Sequence, residues 1–124
     1  SRIIDQPDPA WGVDNNWVYF YPYQSEAAPG DALHYELRVR NYIGRPSHFR
    51  ATIQLPRAWT SLPSTLEIDA SAKSEARATF DVRIPRSETR LNRRFVLTAD
   101  IWRDDEHLGE LTEGLVNMKP MKAH

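Results

Sequence analysis

Cysteine is absent from the 124 residues, which removes disulfides, thiolate metal ligands and cysteine nucleophiles together. Charge of one sign is lacking too. Sixteen Lys and Arg residues against seventeen Asp and Glu leave a formal charge of −1, so no global field draws the chain to nucleic acid or to an anionic membrane. No apolar run approaches the roughly 18 residues that a membrane-spanning helix needs, and the first residues lack the basic-then-apolar layout of a signal peptide. The compartment stays open, since a cysteine-free domain of bacterial type suits the cytoplasm or export equally. Chemistry-bearing motifs are equally scarce. There is no Gly-x-Ser-x-Gly elbow and no glycine-rich phosphate loop. The four histidines (His34, His48, His107, His124) are not spaced as metal pairs. No cofactor and no catalytic residue are expected.

What is present is the composition of a folded domain: 40% hydrophobic and 27% charged residues in a length suited to one core. Asp5 to Asn16 (DQPDPAWGVDNN) is rich in turn formers and reads as a lead-in or interdomain linker spanning residues 1–16. With the start Ser1-Arg2-Ile3-Ile4-Asp5, it suggests a piece excised from a longer chain. Residues 17–118 form the expected domain, and 119–124 a disordered tail.

The domain is written in alternation. Leu33, Tyr35, Leu37 and Val39 alternate with His34, Glu36, Arg38 and Arg40; Phe49, Ala51, Ile53 and Leu55 do the same with polar neighbours. Ala76 to Ile84 and Phe95 to Ile101 repeat the period of two, Leu66 and Ile68 give a shorter version, and Leu108 to Asn117 closes the series. Together with Trp17 to Tyr23 (WVYFYPY) these make about seven strands. Separated by Pro and Gly turns, they predict an all-β, immunoglobulin-like antiparallel β-sandwich. Its core is expected from Leu33, Leu37, Val39, Phe49, Ile53, Leu66, Ile68, Phe80, Val82, Ile84, Phe95, Leu97 and Ile101. Arg103 to Glu106 reads as a hairpin turn, and Gly109 and Gly114 as a bulge or a close backbone approach.

Several landmarks carry a resemblance. Pro29-Gly30-Asp31, Arg40-Asn41, Arg45-Pro46, Leu55-Pro56-Arg57-Ala58-Trp59 and Phe80-Asp81-Val82-Arg83-Ile84-Pro85 look like the Ig-like accessory domains appended to bacterial hydrolases, including the galactosidase-associated kind. The ending, Arg94 to Ile101, a short hairpin, then Leu108 to Val116, is similar to the C-terminal domain of some metallo-β-lactamase-fold hydrolases. Where that family often has Asp-Gly in the hairpin, this chain has Asp104-Asp105. The resemblance implies a non-catalytic module whose partner is an upstream catalytic domain of the same parent chain, and it carries over no catalytic residue.

The aromatic residues are the candidate binding surface. Trp17, Tyr19, Tyr21 and Tyr23 stand two apart, so on one strand they share a face while Val18 and Phe20 take the other. Rings that are apolar in body and polar at the tip suit a protein interface, including self-association into a homo-oligomer, or sugar stacking, with Trp102 as a further ring. The same stripe packed into the core is the competing reading. Arg38, Arg40, Arg50, Arg77 and Arg83 are expected on wet strand faces, offset by Glu36, Glu75 and Asp81. His34 and His48 meet only if their strands are adjacent. Asp104-Asp105-Glu106 reads as a hairpin tip and not as a calcium loop.

Overall fold

A computed structural model describes residues 17–120; the expected linker 1–16 and the end of the expected tail lie outside them. Every regular element there is a strand: β1 Val18–Tyr21, β2 Gln24–Ala27, β3 Ala32–Arg40, β4 Ser47–Gln54, β5 Thr60–Leu62, β6 Thr65–Ala70, β7 Glu75–Arg83, β8 Arg93–Arg103 and β9 Glu106–Met118. They form a four-stranded sheet in the order β1-β3-β7-β5 and a five-stranded sheet in the order β2-β9-β8-β4-β6. The alternating segments are strands because each has one apolar side to bury and one polar side to leave in water.

Nine strands replace the expected seven for two reasons. The strand expected over Trp17 to Tyr23 stops at Tyr21, before Pro22, and a further strand, β2, follows from Gln24 to Ala27 where none was expected; β1 pairs antiparallel with β3 while β2 lies in the other sheet. Proline cannot donate to a ladder, which makes it a natural place to leave one. Thr60–Leu62, expected as loop, adds an edge strand to β7. The purely antiparallel expectation is corrected at one seam: β2 runs parallel to β9, Gln24 beside Leu115 through Ala27 beside Met118.

The core lies between the sheets. All the expected core residues are buried except Leu33, which is half-buried near the start of β3. Phe20, Tyr35 and Phe80 form an aromatic centre. Tyr35 stacks on Phe80 with centroids 5.4 Å apart, and Phe20 meets Phe80 edge-on at 5.9 Å, both favoured ring geometries. Gly114 sits against this centre because a Cβ there would lie 3.3 Å from the Phe20 ring. Gly109, with φ +97°, lies at one of two register shifts in the β8–β9 ladder. The expected close approach and bulge thus fall on one glycine each.

Two polar groups lock the loops. The Asn41 side-chain amide donates to the carbonyls of Arg45, Ala70 and Ser71, and its Oδ1 accepts from the Ile43 amide. Trp59 packs against Phe95 with centroids 4.9 Å apart and the rings tilted by 50°, and its indole Nε1 donates to Glu88 Oε1 at 2.8 Å. Glu88 also accepts from the Arg90 Nε and backbone amide. A carboxylate with this many donors can be buried without an orphaned charge.

Candidate functional site

The rings of the predicted stripe separate according to which sheet holds each backbone. Trp17 precedes β1; only 8% of it is exposed, and its ring lies 5.8 Å from that of Phe49 on the facing sheet. At this position the ring follows the competing reading, packed into the core. At a strand end the period of two no longer binds, and burying an indole removes more apolar area from water than displaying it. Tyr23 follows the break at Pro22 and is 51% exposed. Trp102 stands on the outer side of the other sheet, with the Arg50 guanidinium 5.2 Å from its centroid and the His107 ring 4.7 Å away.

Tyr19 and Tyr21 remain together. They lie opposite Arg38 and Glu36 in the β1–β3 register, so all four side chains stand on the outer face of the four-stranded sheet. The Arg38 guanidinium lies 4.2 Å from the Tyr21 centroid and 5.9 Å from that of Tyr19, a cation–π arrangement. Glu36 Oε1 accepts from Arg38 Nε at 2.8 Å and lies 2.7 Å from Nη2. The Tyr19 hydroxyl donates to Glu75 at 3.2 Å, and Arg77 approaches Glu36 at 3.8 Å. Hydrogen bonding with Tyr19, then with Glu36, raises the Arg38 pKa further above its usual range. The result is a fixed aromatic–guanidinium platform with Tyr21 still 53% exposed. Sequence alone does not mark Arg38 as its centre, since only the register puts it over the rings.

The arginines divide between the sheets. Arg38, Arg40, Arg77 and Arg83 belong to the four-stranded sheet and Arg50 to the other. Of their expected offsets, Glu36 pairs with arginine, whereas Asp81 lies 2.6 Å from His34 Nδ1. His34 and His48 lie on different sheets and do not meet. Instead, the His48 ring sits between Asp69, 2.7 Å from Nδ1, and Glu67, which bonds Nε2. These bonds, that to Asp69 first, raise its pKa. Among the described residues no group of three or more His, Asp or Glu side chains is arranged to hold a metal ion. Asp104 turns the β8–β9 hairpin with φ 52°; its amide donates to the His48 carbonyl, and its carboxylate accepts from the His48 amide.

No family model matches the sequence, and no curated protein matches it. Among solved structures the chain is similar to WR4, an MSP family member of C. elegans, at 10% identity over 85% of this chain and 98% of that one, with a TM-score of 0.52. It is similar to the YadV chaperone at 13% identity over 86% of this chain and 53% of that one, also at 0.52. A family 123 glycoside hydrolase from Clostridium perfringens aligns at 11% identity over 82% of this chain and 23% of its own, at 0.50. At such identities the likeness is one of fold. The chain is an immunoglobulin-like β-sandwich.

Proposed function

We propose that the chain is a non-catalytic interaction module, the β-sandwich part of a larger bacterial hydrolase, and that Tyr19, Tyr21 and Arg38 form its contact with the parent's catalytic domain. The observation that carries this reading is the platform itself. Tyr and Arg dominate the energetics of protein interfaces because they present large contact area at little conformational cost. Here the guanidinium is already immobilised by Glu36 and the rings. Less freedom is left to lose on docking, which favours binding.

The parent hydrolase, of metallo-β-lactamase fold or another, rests on the motifs from Pro29 to Val116. The likeness to one part of a glycoside hydrolase chain agrees with a sandwich that serves beside a catalytic domain. The domain limits 17–118 are part of the same proposal. Self-association through the same face is the homo-oligomeric version. A carbohydrate-binding module is the second reading, favoured by the half-exposed Tyr21 and Tyr23 rings; Trp102, approached by both Arg50 and His107, contributes less to it.

The test compares amide NMR spectra of the chain alone and within the product of its complete reading frame. Shifts confined to Tyr19, Tyr21, Glu36, Arg38 and Arg77, together with a hydrolase domain in the frame, are expected. Identical spectra refute the contact. Shifts of the Tyr21 and Tyr23 signals by oligosaccharide alone move the assignment to sugar binding.

A further inference from the structure

Both ring nitrogens of His48 face a carboxylate. Asp69 Oδ1 lies 2.7 Å from Nδ1, and Glu67 bonds Nε2. An ionised carboxylate can only accept, and a neutral imidazole has a single N–H to give. The two bonds therefore exist together only when the ring carries two protons and a positive charge. Deprotonation leaves one N–H, so that one carboxylate must face the lone pair of a ring nitrogen.

Strand register decides which carboxylate that is. Asp69 stands directly opposite His48 in the β4–β6 ladder, whereas the residue directly opposite Glu67 is Arg50. The Arg50 guanidinium lies instead 5.2 Å from the Trp102 centroid. Trp102 is opposite Arg50 in the β4–β8 ladder and opposite His107 in the β8–β9 ladder. Glu67, Arg50, Trp102 and His107 thus form one row across four strands, on the outer face of the five-stranded sheet.

The charges around His48 favour its proton. Besides Asp69 and Glu67 from β6, Asp104 of the β8–β9 turn lines a shallow cleft with His48 and is approached by Arg45 at 3.8 Å. Arg50 is the cation on the same face of β4 itself. At the far end of the row His107 is held by Asp100 at 2.7 Å, with Glu110 opposite Asp100. The Asp69 bond, then the Glu67 bond, raises the His48 pKa.

We infer that His48 is a proton-operated clip: protonated, it ties both carboxylates of β6 to β4; deprotonated, it keeps Asp69 and releases Glu67 to Arg50, which draws the guanidinium off the Trp102 ring. β6 is an edge strand held by β4 alone, so the edge of the sheet tightens in acid and a ring two strands away responds. The tie is complete below the ordinary imidazole value of 6.5 and is lost as pH rises through the raised folded value. The row lies on the opposite sheet from Tyr21 and Arg38, so this inference and the proposed contact stand or fall separately.

The test follows the His48 ring and Trp102 indole signals by NMR between about pH 5 and 9, in a His107→Gln chain that lacks the other titrating ring beside Trp102. A Trp102 shift with the same midpoint as His48 is expected. Adding Glu67→Gln should abolish that shift and lower the His48 midpoint, leaving it above an ordinary histidine because Asp69 remains. Adding Glu113→Gln, which removes a carboxylate outside the row, should change neither signal. All three substitutions are at exposed positions and keep the side chain polar. A Trp102 signal that stays still while His48 titrates, or that follows it equally after Glu67→Gln, overturns the inference. So does a His48 midpoint that ignores Glu67→Gln, since Nε2 would then never have been tied.

Discussion

Replacing Glu88 by glutamine should flatten the acid branch of the stability curve. The Glu88 side chain is 2% exposed and bonds the Trp59 indole, the Arg90 guanidinium and the Arg90 amide. The Arg90 hydrogen bond, followed by those from Trp59 and the Arg90 amide, holds its pKa down at about 2 against an ordinary 4.5. A carboxyl lowered on folding adds stability that is complete above the unfolded value. That stability drains away as pH falls from 4.5 toward 2, because the unfolded chain takes up the proton first. A shift of that size corresponds to at most about 3 kcal/mol. Arg90 is 38% exposed, so solvent screening brings the expected figure nearer ~2 kcal/mol. The side-chain amide of the Glu88→Gln variant would keep an acceptor for Trp59 but lose the charge. Urea unfolding of both proteins at several pH values between 7 and 2 gives the measurement. The wild type should exceed Glu88→Gln by ~2 kcal/mol at neutral pH, and the two should converge near pH 2. Parallel curves, offset equally at every pH, would refute the reasoning and leave the clasp a matter of shape alone.

Gly114→Ala should destabilise the fold by ~1–3 kcal/mol through overpacking, since the Phe20 ring 3.3 Å away is itself held by Phe80 and Tyr35; thermal unfolding measures it. Asn41→Ala should cost ~2 kcal/mol or more in chemical denaturation, because the carbonyls of Ala70 and Ser71 and the Ile43 amide lose a partner. In an NMR pH titration His48 should titrate above an ordinary histidine, and Asp69→Asn should return most of the difference. Its contribution to stability is full below the unfolded pKa and fades as pH rises through the folded one; a His48 that ignores Asp69→Asn would contradict the geometry.

How much of this is legible in the sequence follows from what a period of two can and cannot say. Segments such as Leu33 to Arg40 and Ala76 to Ile84 announce their buried side because the core imposes one parity along each strand. Parity fails where strands end, and so Trp17 falls in step with the tyrosines although it packs on Phe49. It is silent about which strands become neighbours. The pairing of Arg38 with Tyr19, the separation of His34 from His48 and the gathering of Glu110 beside Asp100 all arise from register. Thr60–Leu62 reads as loop because three residues ending in an exposed Leu62 carry no alternation. Glu88 is hidden for a different reason: a carboxylate in the polar stretch Arg86 to Asn92 looks solvated until the Trp59 indole is found against it.

The crossing of the first strand from one sheet to the other has a mechanical consequence. β2 and β9 run side by side in the same direction, tied at one end by the Leu115 amide to the Tyr23 carbonyl and at the other by the Lys119 amide to the Ala27 carbonyl. Tension applied between the two ends of the chain pulls these strands in opposite senses along their length. The rungs between them are then loaded together in shear instead of opening one after another.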